Sequence, residues 1–267
     1  MALSIAGSDS GGGAGVQADL HTFAAFGVHG TCAITAVTAQ NTRGVAAVHR
    51  VPSAVVTAQM SAVLDDFRVG AVKIGMLATP SIARTVAFAL DRYPDIPVVL
   101  DPVLVATTGA RLGGNDLPAA LLRHWLGRAH LWTPNIPEAG SLLNRSIRTR
   151  SDMRKAAEDL LAQGARAVLL KGGHLASREL SDLLLTKTGE QWFRHPRLRG
   201  EGHGTGCTLS AAIAAGLARG DALECAVERA ITYVHAGLSR GYRPGRGRIL
   251  VLDHDFAKRT LDARDVS

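Results

Sequence analysis

Residues 5–20 read IAGSDSGGGAGVQADL: a short apolar strand, a glycine-rich turn and the opening of a helix. Beyond the turn, Val16, Leu20, Phe23 and Ala24 recur at helical spacing, and Gly27 is placed to stop the helix. Such a turn can cradle phosphates, and two phosphate motifs can be tested against it. A Walker A loop needs a lysine that is missing here. A dinucleotide fingerprint is met weakly by Gly13, Gly15 and Ala18, but no acidic residue follows about 20 positions on to hold a ribose. Both motifs fail. What remains is a turn that lets backbone approach a ligand closely, and a carboxylate, Asp19. At 100° per residue Asp19 lies about 40° from Phe23 on the helical wheel, so it leans toward the buried face. It is either a ligand contact or a buried carboxylate with a partner of its own.

Outward from this unit, apolar runs of strand length alternate with segments of helical period. The strand candidates are Ala2–Ala6, Cys32–Thr38, Ala71–Ile74, Val98–Asp101, Leu131–Thr133, Ala167–Leu170 and Leu183–Thr186. Helices are expected over Pro52–Phe67, Pro80–Arg92 and Asp152–Gln163. A late one carries Leu209, Ile213 and Leu217 and stops at Gly220, and a last one opens on Asp221 as N-cap with Glu224 completing a capping box. Alternation of this kind predicts an α/β fold with a mainly parallel sheet, and one domain over 1–267 is the economical reading. Ala106–Asn115 (ATTGARLGGN) is expected to be a mobile loop.

Composition agrees with that class. Aromatics make up only 4% of the 267 residues, so the core is expected to be built from Ala, Val, Leu and Ile. The three cysteines show no C-x-x-C spacing, which argues against a disulfide framework and a structural zinc site; Cys32 and Cys225 read as small core residues. Ala2–Ala6 is too short for a signal peptide, and no apolar run reaches a membrane span, so a cytoplasmic protein with no membrane partner is expected. The net charge of +7 suits either nucleic acid or anionic small molecules; scattered arginines without a nucleic-acid motif favour the latter.

Several polar residues fall where parallel strands end, the place at which α/β folds bind ligands. Gln40 follows Cys32–Thr38; it is either a plain loop residue or a ligand contact, since its amide can donate and accept together at the edge of a polar ring. Asp101 closes VVLD. Asn135 and Glu138, in NIPE, have the spacing of a capping box; the same Glu138 could instead join Asp101 near a hydrated Mg²⁺. The segment His203–Ser210, HGTGCTLS, opens a helix with small residues, so free N–H groups and the positive end of the helix dipole converge on one spot, an anion site. Cys207 sits in that first turn, where its thiol pKa is expected to be lowered.

Together these stretches resemble the ribokinase-like superfamily and, within it, the bifunctional hydroxymethylpyrimidine/phosphomethylpyrimidine kinases of thiamine biosynthesis. The resemblance is carried by AGSDSGGGAGVQADL (6–20), TAVTAQNTRGV (35–45), KIGML (73–77), VVLDPVLVATTG (98–109), TPNIPEA (133–139), LLKGGH (169–174) and HGTGCTLSAAIAAGLA (203–218), in the family's order. It implies a three-layer α-β-α fold, usually dimeric, and an enzyme using ATP and Mg²⁺ on a small pyrimidine. It further implies that Gly7, Asp19, Gln40, Met76 and Val103 line the pyrimidine pocket, and that Asp101 and Glu138 serve the metal. Asn135 and Lys171 are implied on the nucleotide side. Gly204, Thr205 and Gly206 would form the anion hole with Cys207, which stands in for the usual catalytic Asp as base. The chain departs from the family's pattern at Ala110, at Glu201-Gly202 and in RPGRGRILVLDH, which bears on loop closure and nucleotide contacts. A pyridoxal kinase is the nearest alternative, since pyridoxal is also an aromatic hydroxymethyl compound; a non-catalytic ligand-binding relative is a further one.

Overall fold

The computed structural model describes residues 1–256 except 106–108, 110–111, 178 and 199. Much of the expected loop 106–115, Ala110 included, therefore lies outside the described residues.

The chain opens with strand β1 (Ala2–Asp9) and helix α1 (Gly15–Ala25), then the hairpin β2 (Gly30–Asn41) and β3 (Gly44–Arg50) and helix α2 (Ser53–Leu64). Next come β4 (Ala71–Ile74), α3 (Pro80–Leu90), β5 (Val98–Leu100), α4 (Leu117–Trp125), β6 (Leu131–Trp132), α5 (Ile136–Leu143), α6 (Arg150–Ala162) and β7 (Ala167–Leu170). The antiparallel pair β8 (Glu179–Thr186) and β9 (Glu190–Pro196) follows, then the short β10 (Gly202–His203), the long helices α7 (Thr205–Ala218) and α8 (Leu223–Ser239), and β11 (Leu250–Val251).

Nine strands form one sheet in the order β3-β2-β1-β4-β5-β6-β7-β8-β9. The middle six run parallel; β3, β8 and β9 are antiparallel to their neighbours. Because strand side chains alternate between faces, each central strand feeds two cores. Val98, Leu100, Val168 and Leu170 join the core beneath α2 to α6, whereas Val99, Ala167 and Leu169 join the one beneath α1, α7 and α8. The result is the expected three layers. The scarcity of aromatics is met in α7, whose Ala211, Ala212, Ile213, Ala214 and Ala215 are all fully buried between sheet and neighbouring helices.

Three expectations need correction. Asp221 does not cap α8: the N-cap is Ala222, with no side-chain bond, and the Asp221 carboxylate accepts from Arg229 Nη1 at 2.6 Å instead. Cys225 is exposed on the outer side of that helix, next to buried Ala226 and Val227. Strand candidate Leu183–Thr186 begins earlier, at Glu179, because pairing with β9 carries it past its apolar part. The Asn135 capping box, by contrast, is present in both legs: Glu138 N donates to Asn135 Oδ1 at 2.9 Å, and Asn135 N to Glu138 Oε2 at 2.8 Å.

Candidate active site

The parallel strands all end on one side of the sheet, and there the chain encloses a cavity of about 690 Å³. The loops after β1, β2, β4, β5, β6 and β7 form one wall, and the start of α7 forms the other. Among the residues expected in the site, Gly7, Gln40, Met76, Asp101, Val103, Asn135, Glu138, Lys171, Gly204, Thr205, Gly206 and Cys207 all line this one cavity.

At one end, Met76 and Val103 pack with Ala36 and Ala78 into a small apolar cluster, with Gln40 beside them. A flat, partly polar ring suits such a wall. Leu180, Pro196, Ile231 and Leu238 also line the cavity, with the imidazoles of His195 and His235.

Charged groups line it too. Lys171 Nζ donates to Asp101 Oδ1 at 2.7 Å, and the side chains are 13% and 3% exposed. Burial disfavours the Lys171 ammonium, but Asp101 and Glu138 outweigh it and hold it above its ordinary range. Burial pushes the Glu138 carboxyl up to about 7; Lys171 opposes that and Asp101 adds to it. Glu138 thus serves as cap and cavity wall together.

The turn that opens α7 depends on Gly204. As N-cap of α7 it holds φ at 74°, and a Cβ there would meet Gly13 O at 1.9 Å. The loop therefore packs directly on the glycine-rich turn, and the first-turn amides of Thr205, Gly206 and Cys207 have no acceptor within the helix. The Cys207 thiol departs from expectation. Burial pushes it up to about 11, Asp19 and Asp101 add to the rise, and Lys73 and the Gly15 amide oppose it without prevailing. Desolvation outweighs the helix terminus here.

Asp19 is placed differently from the expected pocket wall. It is fully buried behind the cavity, where its Oδ2 accepts from Lys73 Nζ at 2.8 Å and from Ser4 Oγ at 2.5 Å. Lys73 does border the cavity and was missed, although a lysine inside the apolar strand AVKI is itself a sign of a buried partner. Asp9 and His203 were also missed. They meet at 2.8 Å from the two glycine-rich segments, and both names stood in the quoted motifs. His195 was not legible because β9 was not read as a strand. Among the described residues, no three His, Cys, Asp or Glu side chains come together as a cage for a cation.

Comparison with known proteins gives a consistent picture. The sequence model for phosphomethylpyrimidine kinase matches residues 9–252. A hydroxymethylpyrimidine/phosphomethylpyrimidine kinase of Rhizobium meliloti is 50% identical over 254 residues, covering 93% of this chain and 94% of the relative. Among solved structures, the phosphomethylpyrimidine kinase of Clostridium difficile superposes with a TM-score of 0.78 at 38% identity, covering 88% of this chain and 97% of its own. The pyridoxal kinase of Staphylococcus aureus in complex with AMP-PCP and pyridoxal superposes with a TM-score of 0.88 at 30% identity, covering 97% of this chain and 94% of its own.

Proposed function

This chain belongs to the phosphomethylpyrimidine kinase family, and from that footing we propose how its ribokinase-like fold carries out two successive phosphorylations in thiamine biosynthesis. ATP supplies the phosphoryl group. The acceptor is first 4-amino-5-hydroxymethyl-2-methylpyrimidine and then its monophosphate, which becomes the diphosphate. The observation that carries the assignment of roles is that one cavity is lined both by the apolar cluster of Met76 and Val103 and by the start of α7, with the Lys171–Asp101 pair against Gly206.

The pyrimidine would lie against Met76 and Val103 with its polar edge on Gln40 and its hydroxymethyl group toward Cys207. Asp19, behind the wall, would act through Lys73. The nucleotide would enter from the side of Asn135 and Lys171, with its terminal phosphate on the amides of Gly204, Thr205 and Gly206. Phosphoryl transfer depends on positioning and charge stabilisation more than on covalent chemistry. Lys171 and the amides of the anion loop supply fixed positive charge where charge builds up.

Asp101 and Glu138 suit Mg²⁺ rather than a cation held wholly by protein, because Mg²⁺ keeps waters and shares itself with phosphates. These two residues would hold it, and the ion would neutralise phosphate charge.

Cys207 would take the proton of the substrate alcohol. Its raised pKa means that the thiol is protonated at rest, with a thiolate fraction on the order of 10⁻⁴ at neutral pH. The second acceptor is a monoester with a second pKa near ~6, so it is already ionised and needs no base.

Pyridoxal kinase is the alternative reading, since a pyridoxal kinase shares the fold; the higher sequence identity favours the pyrimidine. The enzyme is read as cytoplasmic, where its ATP is, and as a homodimer. Support for the dimer comes from exposed Val37 and Val48 on the hairpin β2–β3 and Val55 on α2; light scattering on a sizing column checks it. The functional test is ATP consumption with hydroxymethylpyrimidine and pyridoxal offered separately at one Mg²⁺ concentration. Faster turnover of the pyrimidine supports the assignment, and preference for pyridoxal would move it to vitamin B6 salvage.

A further inference from the structure

Asp9 ends β1 as a carboxylate surrounded by donors. Gly11 N donates to its Oδ1 at 2.8 Å, Ala14 N to its Oδ2 at 2.9 Å, and His203 Nε2 stands 2.8 Å from Oδ2. Burial works to raise this carboxyl, but the His203 bond and the two amides outweigh it, so the group stays ionised below its ordinary range. An ionised carboxylate only accepts, so His203 Nε2 must carry its proton toward Asp9. A protonated ring nitrogen has no lone pair left to accept with.

The Gln40 side-chain nitrogen, Nε2, stands 3.1 Å from the same ring nitrogen. Its Oε1 lies 3.3 Å from Thr38 Oγ1, which also lies 3.0 Å from Ser8 O. Amide nitrogen and oxygen are distinguished by their partners. With the nitrogen toward His203, two N–H groups would face one another, and the single Thr38 proton would be claimed by two acceptors. With the amide turned over and its oxygen toward His203, the ring N–H is shared by Asp9 and Gln40, the amide nitrogen donates to Thr38 Oγ1, and Thr38 donates to Ser8 O. Each of these contacts then pairs a donor with an acceptor, so they favour the turned orientation.

We propose that His203 is a positioning residue that fixes the orientation of the Gln40 amide and thereby the order of donor and acceptor that the substrate ring must match; this rests on the pyrimidine-kinase reading above. Once Thr38 and His203 are satisfied, Gln40 has one N–H and one oxygen lone pair to offer, in a fixed order along the wall. An amino group beside a ring nitrogen, as in the aminopyrimidine, presents the complementary pair. A hydroxypyridine such as pyridoxal has no such paired edge. His203 is itself held rigidly: its backbone pairs with Val251 in the two-stranded sheet, and its ring lies so close to Gly13 that a Cβ there would meet Cδ2 at 2.5 Å.

The test titrates hydroxymethylpyrimidine, and separately ATP, into the wild-type protein and into His203→Leu, His203→Gln, Gln40→Ala and the His203→Leu/Gln40→Ala double variant. Glutamine can place an N–H where the imidazole had one. His203→Leu should weaken pyrimidine binding about tenfold or more, with ATP binding little changed, and His203→Gln should recover most of it. In the Gln40→Ala background His203→Leu should add almost nothing. Additive losses, or equal losses for pyrimidine and ATP, would overturn the proposal. Should His203→Leu fail to fold, Thr38→Val frees the other side of the amide and must weaken pyrimidine binding in the same selective way; wild-type pyrimidine affinity in that variant would overturn it too. A wild-type protein that ignores the pyrimidine altogether would instead overturn the kinase assignment.

Discussion

Lys73 Nζ lies 2.8 Å from Asp19 Oδ2, and neither side chain has any exposed surface. The pair ties α1 to β4 directly behind the cavity. Burial disfavours the Lys73 ammonium, but Asp19, with Cys207 and Asp101, outweighs it and holds the lysine charged, while burial raises the Asp19 carboxyl more than Lys73 lowers it. Removing one partner leaves a buried charge without compensation, a loss of about 3–5 kcal/mol in comparable cases. Lys73→Met should therefore destabilise the protein by about that much in urea unfolding, and adding Asp19→Asn should restore most of it. A Lys73→Met variant within about 1 kcal/mol of wild type would mean that the pair is not a buried ion pair.

As the proposed base, Cys207 should act on the first phosphorylation and not on the second. With the thiol at about 11, the thiolate fraction increases about tenfold per pH unit through the neutral and mildly alkaline range. Phosphorylation of the alcohol should rise accordingly between about pH 7 and 9, while the monoester step stays flat above its own ~6. Cys207→Ala should slow the first step by about 10²–10⁴-fold and flatten its pH profile, with a much smaller effect on the second. Equal losses in the two steps would leave Cys207 only a part of the anion loop's shape.

Glu138 offers a test in which one capping bond is kept. Glutamine at this position can still accept from Asn135 N, but its amide nitrogen cannot also accept from the Leu104 amide, so Glu138→Gln should destabilise by about 1–3 kcal/mol. The Mg²⁺ requirement should rise about tenfold. The wild-type carboxyl, at about 7, ionises as pH rises through neutrality, so apparent Mg²⁺ affinity should increase from pH ~6 to ~8. Titration of ATP is common to both proteins, and the difference between their profiles isolates Glu138. Superimposable profiles would confine Glu138 to its capping role.

Gly204→Ala should disable the anion loop. The residue holds φ at 74°, and its added methyl would run into Gly13 O. The left-handed conformation costs of order 1–3 kcal/mol for other residues, and a displacement of about 1 Å in the loop is enough for a hundredfold loss of kcat/KM for ATP. Kinetics near wild type would show that the amides of this turn do not hold the phosphate.

Much of this was legible in the sequence, for physical reasons that differ between elements. Strands β4 and β7 have the expected bounds because central parallel strands are buried on both faces and read as continuous apolar runs. The hairpin strand β3 and the late strand β9 were missed: β3 is largely exposed, and β9, EQWFRHP, mixes charges with aromatics. Helix α4 was missed as well, and no side chain caps its start. The site's loops could be quoted from sequence because ligand-facing turns need glycine, Asn and carboxylates in short order. What those groups do to one another could not. Asp19 finds Lys73 and Asp9 finds His203 only through the fold, and the desolvation that raises the Cys207 thiol, itself half-buried at the cavity, comes from the surrounding walls rather than from the helix it begins.

The most direct test is a time course of the purified protein with 4-amino-5-hydroxymethyl-2-methylpyrimidine, ATP and Mg²⁺, with products identified by mass. The monophosphate should appear first and then be converted to the diphosphate by the same protein. ATP consumption with no phosphorylated pyrimidine, or a monophosphate that never goes further, would contradict it.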